Sequence, residues 1–263
     1  MAKYNDINIK EWKNYEDVLT DSLWIINKRD NSGAHDGHYH GNFIPQIPHQ
    51  LLTRYTKTGD WVLDPFMGSG TTLIEAQRLN RNSIGIELQK DVALEANERI
   101  STEKKENILT QVIIGNSKQI DLSKYLEKYG IKKVQFIIMH PPYWDIIKFS
   151  NNANDLSNAS TLGSFLSDLS SVIDNTTKYL ECNRYCSIVI GDKYSNGQIT
   201  PLGFQCMNLF IQKGFILKAI IVKNFEETKG KANQQAIWRY RALANDFYLF
   251  KHEYIMVFKK VKD

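Results

Sequence analysis

Cysteine is scarce in this 263-residue chain: there are three, Cys182, Cys186 and Cys206, and three cannot all pair. Cys182 and Cys186 stand close together with no second pair to complete a zinc site, which leaves free thiols suited to a reducing compartment. No apolar run approaches the ~20 residues of a membrane span, and the start MAKYNDINIK lacks the apolar core of a signal peptide. A cytoplasmic protein without membrane attachment is expected. Internal repeats, long charge blocks and Pro- or Ser-rich linkers are missing too, so nothing divides the chain. What is present is an ordinary globular composition, 42% hydrophobic and 24% charged. A domain of this size buries its core without a disulfide or metal staple. The net charge of +4 permits a polyanionic partner without requiring one.

From residue 60 onward, short β-rich runs alternate with helical stretches. Strands are expected at 61–64, 83–87, 111–114, 134–139, 186–190, 215–222 and 254–258. Helices are expected at 71–79, 91–104, 122–129, 162–180 and 201–213. Runs such as FIIM, SIVI and ILKAIIV are continuously apolar, as strands covered on both faces are. Strand alternating with helix predicts an α/β fold, a doubly wound and mainly parallel sheet. The last two strands break that rhythm. No helix of good amphipathic period separates them, so they read as a terminal antiparallel hairpin with a long basic insertion. The N-terminal segment is expected to pack against this single domain.

The first strand runs into Asp64-Pro65-Phe66-Met67-Gly68-Ser69-Gly70-Thr71-Thr72, where a helix begins. Glycines at 68 and 70 let backbone approach a ligand, and the helix N-terminus supplies free N–H groups. No Lys follows the second glycine, which excludes a Walker phosphate loop, and a third spaced glycine is missing from the dinucleotide pattern. The second strand ends at Glu87, placed to take both hydroxyls of a ribose. Gly-x-Gly alone fits a tight structural turn equally well; joined to Glu87 it points to a nucleoside-type ligand.

The fourth strand ends in His140-Pro141-Pro142-Tyr143-Trp144. Each proline locks its own φ and restricts the residue before it, giving a rigid, donor-poor corner at the same sheet edge. A polar side chain, a proline carbonyl and an aromatic face suit a flat aromatic amine. Two acceptors hold the NH2 group and Tyr143 stacks on the ring. The alternative is a rigid turn with both aromatics in the core.

These motifs resemble the AdoMet-dependent amino-methyltransferases, particularly DNA methyltransferases acting on adenine N6 or cytosine N4. DPFMGSGTT is similar to that family's AdoMet motif and HPPY to its catalytic [DNS]-P-P-[YFW]. HGNFIPQIPHQLLTRYTKTGDWVLDPF resembles the segment that closes over the methionine end of AdoMet, and LFKHEYIMVFKK resembles the last strand. The motif order resembles the γ-like arrangement. The likeness is strong over residues 40–145 and looser over 184–260.

The resemblance implies a Rossmann-like class I methyltransferase fold of seven strands, one domain over residues 1–263. Its closing segment would span about 35–58, with target-recognition insertions at 143–160 and 223–248. It implies that Phe43, Pro45, Asp64, Pro65, Phe66, Gly68, Ser69, Gly70, Thr71, Thr72, Glu87 and Asn116 bind S-adenosyl-L-methionine. His140, Pro141, Pro142 and Tyr143 would hold the target amine of a flipped base. Trp144, Lys148, Lys229, Lys231, Gln234, Gln235, Arg239 and Arg241 are the expected contacts to double-stranded DNA, since Arg and Gln read base edges and Lys suits phosphates. No nuclease pattern is evident, so a restriction endonuclease partner would be a separate protein. His35, His38 and His40 cluster in sequence, but no matching carboxylate and cysteine set is evident and no metal is expected.

One position departs from the family pattern: His140 stands where Asp, Asn or Ser is usual. A neutral imidazole still offers one acceptor. An unperturbed histidine gains its proton near pH 6.5, which predicts activity falling below that pH. The substitution also leaves the base, adenine or cytosine, open. Competing readings are an RNA base amino-methyltransferase, a protein-glutamine methyltransferase, and an inactive AdoMet- or DNA-binding module in which His140 marks lost activity.

Overall fold

A computed structural model describes residues 4–35, 37, 39–225 and 235–261, with the side chain of Gln235 left outside. The elements in chain order are β1 (Leu23–Trp24), α1 (Gln46–Tyr55), β2 (Trp61–Asp64), α2 (Thr71–Arg78), β3 (Asn82–Glu87), α3 (Lys90–Thr102) and β4 (Thr110–Ile114). They continue with α4 (Ser123–Lys128), β5 (Val134–Met139), α5 (Leu162–Thr177), β6 (Leu180–Ile190), β7 (Lys193–Ser195) and β8 (Gln198–Thr200). The last four are α6 (Leu202–Gln212), β9 (Ile216–Asn224), α7 (Gln235–Ala244) and β10 (His252–Lys259).

The main sheet has the order β1-β9-β10-β6-β5-β2-β3-β4. Only β10 runs against its neighbours: it is antiparallel to both β6 and β9, and the remaining pairs are parallel. Each parallel crossover needs a helix, which is why strand and helix alternate along the chain. The continuous apolar runs reflect burial on both faces. In β2, Trp61 and Leu63 enter one core cluster while Val62 enters the other. In β5, Ile137 and Met139 face the helices α4, α5 and α6, while Phe136 and Ile138 face α1 and α2.

Three features depart from the sequence expectation. The sheet has eight strands among the described residues, because Leu23–Trp24 adds as a parallel edge to Val222 and Lys223 of β9. A two-residue strand carries no readable period. The small β7–β8 hairpin turns at Asn196-Gly197, both at positive φ, and its strands are too short to register as a pattern. The insertion between β9 and β10 contains α7, most of whose side chains are exposed; a helix with no buried stripe shows no amphipathic period. The antiparallel pairing of β9 with β10 is as expected.

Strand order reverses between β2 and its neighbours β3 and β5, and the crevice that such a switch opens lies beyond the strand C-termini. The glycine turn after β2 is built to reach into it. Gly70 caps α2 at φ +86°, and a Cβ there would stand 2.9 Å from Ile100 Cδ1 of α3. Beneath the turn, a Cβ on Gly85 of β3 would meet Met67 Sδ at 2.5 Å and Leu73 Cδ2 at 2.9 Å. Both neighbours are buried, so neither can swing aside into solvent. Gly85→Ala is therefore expected to lower stability by about 1–3 kcal/mol through overpacking. A urea midpoint unchanged from wild type would show that the turn yields freely.

Candidate active site

A cavity of about 610 Å³ opens at the switch point, and most of the sequence-singled residues meet there. Its walls include Phe43, Asp64, Pro65, Phe66, Gly68, Thr71, Glu87 and Asn116, together with His140, Pro141, Pro142 and Tyr143. The glycine turn and the His-Pro-Pro-Tyr corner, some 70 residues apart in the chain, thus share one space.

At the glycine turn, Glu87 is 8% exposed, and its carboxylate is held from behind. Oε2 accepts from the Gly68 N–H at 3.0 Å and Oε1 from the Gln89 N–H at 2.8 Å. Burial raises its pKa while these donors oppose the rise. Each oxygen retains a lone pair beyond its backbone bond. Asp64 is fully enclosed, and burial pushes its carboxyl up to about 7, against the Phe66 N–H at 2.9 Å. Among the described residues the buried Asn116 Nδ2 has no hydrogen-bond partner, while Oδ1 accepts from Lys118 N. A buried amide with a vacant donor is costly unless something else accepts from it.

Four expected cofactor contacts stand behind the wall. Gly70 is the helix cap packed on α3, and Ser69 gives its hydroxyl to Asn42 Oδ1 at 2.5 Å. Thr72 points into the protein and is fully buried, and Pro45 opens α1. These residues shape the turn and tie the N-terminal segment to it. That segment also reaches the cavity directly through Tyr39, His40, Asn42 and Phe43.

At the proline corner, the His140 ring lies 4.8 Å from Phe43 and 5.6 Å from Tyr143. Part of the residue faces the cavity, but protein atoms crowd the ring. Burial, and then the nearby Lys223 charge, push its pKa down to about 3. This overturns the expected loss of activity below pH 6.5, which assumed an unperturbed histidine. A lowered pKa keeps the imidazole neutral, with its acceptor intact, throughout the ordinary range. The cost appears as acid sensitivity: below about pH 6.5 the unfolded chain takes a proton that the folded ring refuses, so this site weakens stability as pH falls toward 3. The His140 C2-proton shift is expected to stay flat between pH 5 and 8 in an NMR titration; a midpoint near 6.5 would refute it.

Tyr143 packs against Gly191 at the end of β6, where a Cβ would come within 2.9 Å of its ring. Its hydroxyl donates to Glu253 Oε2 at 2.7 Å, and His140 Nε2 lies 3.3 Å from the Tyr143 hydroxyl oxygen. Glu253 and Lys223, 3.3 Å apart and both buried, were not singled out from sequence, although both line the cavity. The available signal was a carboxylate near the start of an otherwise apolar strand, in HEYIMVF. Asp155, Gln89 and Phe149 also line the cavity unpredicted.

The expected DNA contacts fall into three groups. Lys148, Arg239 and Arg241 are exposed, and Arg241 sits over the Trp238 ring at 4.9 Å. Trp144 is half-buried, donating to Ala159 O at 2.9 Å with Lys193 Nζ 4.0 Å over its ring. Lys229, Lys231 and Gln234 lie outside the described residues, as does the Gln235 side chain. In the loop after Tyr143, several Asn and Ser side chains hold the loop itself. Ser150 and Ser157 bond Asp155, and Asn158 bonds the Ser150 and Asn152 carbonyls.

Carboxylates do gather around one of the N-terminal histidines, from positions distant in sequence. Asp30, His35 and Glu75 bring ligand-type atoms within 4.8 Å of one another. Glu75 accepts from both His35 (2.6 Å) and His49 (2.7 Å), with Arg78 3.3 Å away. Those partners hold the Glu75 carboxyl down at about 2 despite burial. The cluster pins the N-terminal segment to α2. His38 lies outside the described residues, and His40 is on the cavity wall.

Residues 2–98 match the family model for DNA methylases of the N6_N4_Mtase type. Over this stretch, little more than a third of its length, the chain is similar to the N6/N4 DNA methylases. Its similarity to curated members is regional. It is 38% identical over 122 residues to the Type II methyltransferase M2.DpnII of Streptococcus pneumoniae, covering 40% of this chain and 42% of that one. It is 34% identical over 107 residues to the Type II methyltransferase M.MjaII of Methanocaldococcus jannaschii, covering 36% and 20%. The chain thus spans less than half the length of these relatives. In fold, it resembles a SAM-dependent methyltransferase from Methanosarcina mazei, with a TM-score of 0.54 and 12% identity over 81% of this chain and 98% of that one. TrmN from Thermus thermophilus superposes with a TM-score of 0.53 and 16% identity, over 84% and 50%. The Rossmann-like fold expected from the sequence is the one observed. No helix among the described residues is long and apolar enough to cross a membrane.

Proposed function

We propose that this chain transfers the methyl group of S-adenosyl-L-methionine to an exocyclic amino nitrogen, adenine N6 or cytosine N4, of a base flipped from double-stranded DNA. The observation that carries this reading is the shared cavity, with the Glu87-backed glycine turn and the His140-Pro141-Pro142-Tyr143 corner on its walls. The residues suit the cofactor. The open lone pairs of Glu87 match two ribose hydroxyls, the orphaned Asn116 amide matches a ring acceptor, and Phe43 and Phe66 give apolar walls. When bound, S-adenosyl-L-methionine supplies an electrophilic methyl group carried on a sulfonium sulfur. The protein's own contribution is positioning and electrostatics. An amine conjugated to its ring is a poor nucleophile; the neutral His140 and the Pro141 carbonyl each accept one N–H and draw the lone pair out of conjugation. The Tyr143 ring stacks on the base, and the phenyl of Phe66 or the ring of Tyr143 can face the sulfonium cation.

An enzyme acting on a base within a duplex must extrude it, and a pocket of this depth receives it. Contact with DNA is supported by the exposure of Lys148, Arg239 and Arg241 to solvent, and the exposed Tyr240 and Tyr248 offer stacking faces. The family description, DNA methylase, favours DNA over RNA. Because the relatives are named Type II methyltransferases, the partner proposed is a separately encoded restriction endonuclease. The domain reading stands as part of this proposal: one catalytic domain, a segment at about 35–58 that closes over the cofactor, and recognition insertions at 143–160 and 223–248.

The test is methyl transfer from labelled S-adenosyl-L-methionine to unmethylated genomic DNA, with total RNA in parallel, followed by digestion and mass spectrometry of nucleosides. Label on deoxyadenosine N6 or deoxycytidine N4 is the expected result and identifies the base. Label in RNA alone, or in neither, overturns the proposal.

A further inference from the structure

Glu253 enters the site through strand register rather than through any local motif. In the β9–β10 ladder it stands opposite Lys223, and the two side chains form a buried pair at 3.3 Å. Burial raises the Glu253 pKa while Lys223 and the Tyr143 hydroxyl oppose the rise; paired with Lys223, the carboxylate is the accepting partner of its neighbours. The single proton of the Tyr143 hydroxyl is therefore committed to Glu253 Oε2 at 2.7 Å. The oxygen of that hydroxyl faces His140 Nε2 at 3.3 Å with lone pairs alone to offer. A neutral ring satisfies it only by carrying its proton on Nε2; the other tautomer would set two lone pairs against each other. Nδ1 is then the acceptor. Among the described residues it has no hydrogen-bond partner, it is not one of the unpartnered atoms closed off from solvent, and it belongs to a residue on the cavity wall.

We propose that Glu253, paired with Lys223 and acting through the Tyr143 hydroxyl, fixes His140 as the Nε2–H tautomer, leaving Nδ1 as the acceptor for the substrate amine. This rests on the reading of His140 as the group that receives that amine. Glu253 is a positioning residue. The direction of the chain is decided by its charge. Were the carboxyl neutral, it would donate to Tyr143, Tyr143 would donate to His140 Nε2, and Nδ1–H would face the amine as a second donor. Which ring nitrogen is protonated is set by the bond the other makes, and here that control comes from two residues of the last sheet hairpin.

The test reads the tautomer on the ligand-free full chain, by long-range proton–nitrogen correlation with nitrogen-15 histidine, assigning the signal by its loss in His140→Ala. Wild type is expected to show protonated Nε2 and unprotonated Nδ1. The double substitution Lys223→Met, Glu253→Leu removes both charges together, so no ion is left unpaired in the core. It frees the Tyr143 proton, and His140 should switch to Nδ1–H, with turnover down ~10-fold or more at unchanged cofactor KM. Adding Tyr143→Phe removes the competing donor and should restore part of that turnover, which a merely structural role would not produce. An Nδ1–H wild type, or a tautomer unchanged in the double variant, overturns the proposal. The expected tautomer in a wild type that methylates no nucleic acid would instead overturn the function proposed above.

Discussion

His140→Ala is expected to reduce methyl transfer by at least ~10²-fold while cofactor affinity stays near wild type, in line with losing a positioned acceptor from a dry site. The separation follows from the layout. The His140 ring touches Phe43 and Tyr143 on the proline corner, whereas the turn proposed to receive the cofactor is held by Glu87, Gly68 and Met67. Truncation enlarges an existing cavity rather than opening a sealed one, so the cost in stability should be small beside the cost in rate. Single-turnover transfer and calorimetric cofactor binding on the same preparation check both halves. His140→Asn is the informative companion: its carbonyl restores an acceptor of the type usual in this family, so it should recover part of the lost rate. Full turnover by the alanine variant would remove His140 from the chemistry and leave the corner as a rigid wall.

How much of this was legible in the sequence differs from element to element. Strands β2 and β5 could be read to the residue, because both are buried on two faces and end abruptly, one at Asp64-Pro65 and the other at His140-Pro141. The turn after β2 was legible because glycines at positive φ leave a sequence signature. What stayed hidden depends on register and burial. The pairing of Glu253 with Lys223 exists because β10 slots antiparallel between β6 and β9, and single-chain periodicity carries no information about which residues will face across a ladder. The lowered pKa of His140 was hidden for a similar reason, since burial and a Lys223 neighbour come from elements distant in sequence. The reach of Asp30 and Glu75 to His35 was likewise invisible, the carboxylate of Glu75 lying 40 residues away on α2.

The second large effect is expected at Glu87, where the loss should fall on cofactor binding. Charge-assisted hydrogen bonds contribute about 1.5–3 kcal/mol each, so removing a carboxylate that takes two ribose hydroxyls should weaken S-adenosyl-L-methionine by on the order of 10²-fold or more. Turnover at saturating cofactor should change far less, because no Glu87 atom belongs to the corner proposed to hold the amine. A complication is built into the site: the same carboxylate accepts from the Gly68 and Gln89 N–H groups, so Glu87→Ala also removes the side-chain tie between β3 and Gly68. The two contributions separate with a cofactor analogue lacking the ribose hydroxyls. If ribose recognition dominates, the analogue binds wild type weakly and the variant no more weakly than the natural cofactor does. If the tie to the turn dominates, the variant binds both compounds poorly and wild type barely distinguishes them. The first outcome is expected, because the turn keeps independent support: Met67 N bonds the Ile86 carbonyl at 3.0 Å, Gly70 N bonds the Met67 carbonyl at 2.9 Å, and Ser69 remains bonded to Asn42.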